Sequence, residues 1–154
     1  MKAMFVTLAI LASSMVAKAD GFVCTSESGL VVRVYNHTSA EEGTRTAAIM
    51  VLSDSSIGAG NKTIASFSDT KRTLSSSHQV YTAKVDLRVS ESNRKGELIA
   101  GTKLGQLSKI VLDVFFSYAA PLAHGEEVGA ELTLVKRNGD QIVESANCAR
   151  YLKN

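Results

Sequence analysis

Apolar residues recur at every second position through several stretches of the chain. The clearest lies at 80–89, where Tyr81, Ala83, Val85, Leu87 and Val89 alternate with Val80, Thr82, Lys84, Asp86 and Arg88. Successive strand side chains point to opposite faces, so this spacing predicts a half-buried β-strand. A second stretch sets Ile110, Leu112, Val114, Phe116 and Tyr118 on one face, while Val111 and Phe115 make the other face partly apolar, as in a more covered strand. Further strands are expected at 21–25, 30–36, 45–53, 63–67, 128–135 and 141–148, about eight in all, and no stretch has a helical period. The pattern predicts an all-β chain folded as a single antiparallel β-sandwich or small β-barrel. It leaves those two open. Tyr81, Val85, Leu87, Leu112, Val114, Phe116, Leu132 and Leu134 are the expected core.

Turn residues separate these runs: Ser28-Gly29, Gly58-Ala59-Gly60-Asn61 and Asn138-Gly139. They predict hairpins and hence an antiparallel sheet. At the last of them, a three-residue loop with Gly139 at a bulge sets Leu134 opposite Ile142, on the face that carries Cys148; a two-residue turn would set it opposite Val143. The single proline, Pro121, falls in a loop at 119–125. Two longer connections, 69–78 and 90–107, are rich in Ser, Lys and Arg and lack alternation, which predicts loops. Loops of that length tend to carry function.

The first 19 residues have a different character. Lys2 precedes an apolar run at 4–12, and small residues stand at Ala17 and Ala19, the form of a signal peptide cleaved before Asp20. The expected organisation is therefore a leader at 1–19 and one domain at 20–154, exported to the periplasm or beyond. No window approaches about 18 consecutive apolar residues, so no membrane insertion is expected. Without Lys2 and Lys18 the 17 basic residues fall to 15, equal to the 15 acidic ones, and the net charge of +2 becomes zero. A neutral, mixed-sign surface offers no footprint for nucleic acid.

Cys24 and Cys148 are the only cysteines, one in the first expected strand and one in the last. In an oxidising compartment they are expected to pair. The bond would close a loop of about 124 residues and stabilise by about 4–5 kcal/mol at most. The pairing requires adjacent chain ends, which it would brace, and a monomer is expected.

Sites for chemistry are sparse. His37 with Glu41 and Glu42, or His124 with Glu126 and Glu127, have residue types that bind zinc, but their spacing is that of ordinary polar loops. No Ser sits in a Gly-x-Ser-x-Gly turn, and the Ser75-Ser76-Ser77-His78 run reads as loop. Asp86 and Asp113 fall on outer strand faces. The basic pairs Lys71-Arg72, Arg94-Lys95 and Lys136-Arg137 are scattered and read as solvated charges. Asn36-His37-Thr38 and Asn61-Lys62-Thr63 match the short glycosylation sequon. No catalytic residue, metal or cofactor is expected.

The segments Phe22-Val23-Cys24, Leu30-Val31-Val32-Arg33-Val34, Val135-Lys136-Arg137 and Asn147-Cys148 resemble the two ends of periplasmic C-type lysozyme inhibitors. That resemblance covers roughly 35 residues and implies a small β-barrel with joined terminal cysteines. The family's inhibitory loop carries Ser-Gly-x-x-Tyr, whereas here Ser28-Gly29 is followed by Leu30, Val31 and Val32. The whole chain also resembles small exported proteins of predatory Gram-negative bacteria, which implies a location and no activity. The expected function is a non-catalytic binding module for an envelope protein or glycan. Its first candidate site is the 90–107 loop, with Arg94, Lys95, Glu97 and Lys103 as contacts. Inhibition of an envelope enzyme and an unrecognised hydrolase activity are the alternatives.

Overall fold

Eight strands form, and each pairs antiparallel with the next until the last returns to the first. They are β1 (Asp20–Ser26), β2 (Leu30–Asn36), β3 (Arg45–Asp54), β4 (Lys62–Leu74), β5 (Gln79–Lys84), β6 (Leu107–Val114), β7 (Glu127–Lys136) and β8 (Gln141–Leu152). Together they make a closed barrel. The computed structural model describes residues 20–37, 45–54, 62–86, 98–99, 101–117 and 120–153. The expected leader, the core position Leu87 and the candidate contacts Arg94, Lys95 and Glu97 lie outside the described residues.

Closure is made by the β1–β8 ladder, from Asp20↔Leu152 to Ser26↔Ala146. Within it Cys24 faces Cys148, and the two are joined in a disulfide. The expected pairing is therefore present, and this closure decides for barrel over sandwich. Gly21 stands opposite both Tyr35 and Tyr151 at this seam. A Cβ at Gly21 would run into the Val34 carbonyl, so the close approach of β1 to β2 depends on glycine. The two tyrosine rings meet edge to face at 5.7 Å.

The interior is filled by side chains. Phe22, Val34, Met50, Leu52, Tyr81, Ile110, Leu112, Leu132 and Leu134 are all fully buried, as are or nearly are the expected core residues Val85, Val114 and Phe116. An eight-stranded barrel is just wide enough for such packing. One end is closed by Ile99, Leu104 and Leu107, with a single 3-10 turn at Leu104–Gln106. Among the described residues of the expected 90–107 loop, Ile99, Thr102, Leu104 and Leu107 are buried, while Gly101, Lys103 and Gln106 are exposed. Arg137 braces this segment: Nε donates to the Gly105 carbonyl and Nη2 to the Val85 carbonyl, each at 3.1 Å.

Several expected boundaries move. The 69–78 segment is not a loop: β4 continues to Leu74, and only Ser75 to His78 turn. Its inward residues Thr70, Arg72 and Leu74 are buried, and because two of the three are polar, no apolar alternation announced them. β5 ends at Lys84, after which the Val85 N–H donates to the Ser108 carbonyl. β6 begins at Leu107 and ends at Val114, and β8 runs on to Leu152. The β7–β8 loop has the expected form: Leu134 pairs with Ile142, and Gly139 has φ of 95°.

Candidate functional site

The packed interior moves attention to the outer wall, where one ladder is short. β4 and β5 pair only from Lys71↔Thr82 to Leu74↔Gln79, so β4 from Lys62 to Thr70 extends past the ladder. A register irregularity against β3 falls in the same region, between the pairs Ala48↔Thr70 and Met50↔Phe67, so that two β4 residues, Ser68 and Asp69, face Ile49 alone. Such a bulge turns the strand and re-aims its side chains. The result is a cleft of about 240 Å³ lined by Phe67, Asp69, Lys71, Thr82 and Lys84. Phe67 also packs against the core, which makes its ring an apolar floor.

Charge is concentrated around this cleft. Lys71 and Lys84 are exposed at its rim, and Lys84 stands directly opposite Lys109 in the β5–β6 ladder. Like charges at facing positions repel, so this pair costs stability unless an anion offsets it. Asp69 and Thr82 add an acceptor and a hydroxyl. Of the contacts expected in the 90–107 loop, Lys103 is exposed between the buried Thr102 and Leu104, and its N–H donates to Gln106 Oε1 at 2.8 Å.

The opposite end of the barrel from Leu104 holds buried polar groups that the sequence did not announce. Arg72, expected as a solvated charge, is 2% exposed. Asp20 Oδ1 accepts from Asn36 Nδ2 at 2.7 Å and lies 4.0 Å from Arg72 Nη1, while Oδ2 accepts from Arg150 Nη2 at 2.7 Å. The Tyr81 hydroxyl lies 3.0 Å from both Asn36 Oδ1 and Gln79 Oε1, and its single proton can serve one of them. Burial pushes its pKa up to about 12, against the lowering pull of Arg72, so the phenol is a neutral donor.

The three histidines fall at or beside strand ends at this same end of the barrel, but each has its own surroundings. His37 is exposed just after β2. His78 Nδ1 is 2.8 Å from Asp113 Oδ1, and its ring meets Phe115 edge to face at 5.3 Å. The Ser75 hydroxyl is engaged by the main chain of His78, whose N–H donates to it at 3.2 Å, so the serine is held by the turn. His124 Nδ1 accepts from the Leu152 N–H at 3.0 Å. Among the described residues no three His, Cys, Asp or Glu side chains gather to hold a metal ion.

No family model matches the chain. No curated protein and no solved structure matches it either.

Proposed function

We propose that this is an exported, non-catalytic binding protein whose β4–β5 cleft takes an acidic saccharide of the cell envelope. The observation that carries this reading is the grouping of Lys71, Lys84 and Phe67 in one cleft, with Lys109 opposite Lys84 in the next strand. Ammonium groups make charge-assisted hydrogen bonds to a carboxylate, an aromatic ring covers the apolar face of a sugar, and Asp69 and Thr82 suit its hydroxyls. Each is a weak contact alone. Their convergence in one concavity gives the ligand both a charge and an orientation.

Direct titration tests the proposal. Glucuronate or N-acetylmuramate should bind, and glucose or N-acetylglucosamine should bind more weakly. Lys71→Ala combined with Lys84→Ala should weaken the acidic ligands at least about tenfold while leaving Tm nearly unchanged, because both side chains are exposed. Equal affinity for neutral and acidic sugars, or an unaffected double variant, would overturn the cleft assignment.

A second reading, inhibition of an envelope lysozyme, draws support from the closed barrel with disulfide-joined ends, the architecture that the resemblance implies. Lysozyme-like sites use two carboxylates, which a protruding Lys or Arg can reach. Excess protein should then slow cell-wall lysis in a turbidity assay. An unchanged lysis rate removes this reading and leaves saccharide binding untouched.

A further inference from the structure

The Arg150 guanidinium is covered by two rings, held by one carboxylate and open at two of its three nitrogens. Phe22 covers it with its centroid 4.8 Å from Cζ, and Phe116 covers it at 4.9 Å. Nη2 donates to Asp20. The residue is 8% exposed, yet Nε and Nη1 are buried with no hydrogen-bond partner. These two groups flank the Nη2 that Asp20 engages. A buried charged donor without an acceptor forfeits the hydration it had in water and regains nothing. Aromatic faces stabilise the cation but accept no in-plane N–H. Asp20 engages Nη2 alone: its Oδ2 accepts from that group and its Oδ1 from Asn36 Nδ2, and neither oxygen reaches Nε or Nη1.

We infer that Arg150 marks a small-anion site at this end of the barrel, in which a chloride ion or a compact carboxylate accepts from its open Nε–H. The Phe22 and Phe116 rings cover the guanidinium, so an occupant reaches its hydrogens only in the plane of the group. Asp20, 26% exposed, marks where the cluster meets solvent and where a small ion reaches it. The site shares no residue with the β4–β5 cleft.

Arginine Nε–H resonances report this directly. In a background of a bulky sulfonate buffer at fixed ionic strength, sodium chloride and sodium acetate should shift one Nε–H signal in a saturable, one-to-one manner. Arg150→Lys identifies that signal by its loss and should abolish the saturable response in calorimetry. Asp20→Asn removes the competing negative charge and should tighten anion binding. An Nε–H spectrum that neither salt changes in the wild-type protein, folded by its amide spectrum, would overturn the inference. So would a shift that follows ionic strength whatever the anion. Neither result bears on the lysines of the outer cleft.

Discussion

Val114→Asp should leave no folded protein at 25 °C. Val114 is fully buried and lies in β6 between its partners Gln79 of β5 and Ala130 of β7. A carboxylate there would replace apolar packing in the interior, and the buried cations of that end, Arg72 and Arg150, are already drawn to Asp20. Burying an unpaired charge costs several kcal/mol even after its pKa rises, and the loss of the valine's packing adds to that. The sum approaches the whole stability of a domain this size, about 5–15 kcal/mol. Circular dichroism should show the β signal lost, or the protein should be recovered only as aggregate. A cooperative unfolding transition within a few degrees of wild type would show that Val114 does not face the interior.

Removal of the disulfide should have the next largest effect. Cys24 and Cys148 are 124 residues apart in sequence and directly opposite in the closing ladder. Breaking the bond frees the unfolded chain and also unfastens the one seam where the first and last strands meet. The expected loss is about 2–5 kcal/mol, or roughly 5–20 °C in Tm. Replacing both cysteines with alanine avoids a stray thiol. Unpaired β1 and β8 edges would then invite association with other chains, so dimers or aggregates should accompany the lower Tm. Protein purified without reductant should weigh two hydrogens less than the reduced chain. A Tm that reductant leaves unchanged would contradict the account.

How much of this could be read from the sequence follows the chemistry of the inward positions. Where they are apolar, as at Tyr81 and Ala83, or Ile110, Leu112 and Val114, period-2 spacing located the strands and their buried faces. Where they are polar it failed. Beyond Phe67 the inward set resumes three residues later at Thr70 and continues at Arg72 and Leu74; the bulge at Ser68 and Asp69 changed the parity, and a buried arginine looked like a loop residue. Arg150 continues the face of Cys148 by the same two-residue step, a signal that was available but stopped at the cysteine. The cleft had no local signal. It arises because β4 is longer than the ladder β5 offers it, a relation between strands and not a motif within one.

Ser, Lys and Arg drew attention to 90–107, where the described residues Ile99, Thr102, Leu104 and Leu107 are buried and Lys103 is exposed. The lysines that converge come from β4, β5 and β6, elements selected for packing on their other face.

The most direct test of the binding claim is amide chemical-shift mapping with N-acetylmuramate against N-acetylglucosamine at matched concentration. The acidic sugar should shift Phe67, Asp69, Lys71, Thr82, Lys84 and Lys109 in a saturable way, leave the β1–β8 seam still, and exceed the neutral sugar at every one of those positions. Equal shifts from both sugars, or acid-specific shifts that fall elsewhere on the barrel, would contradict it.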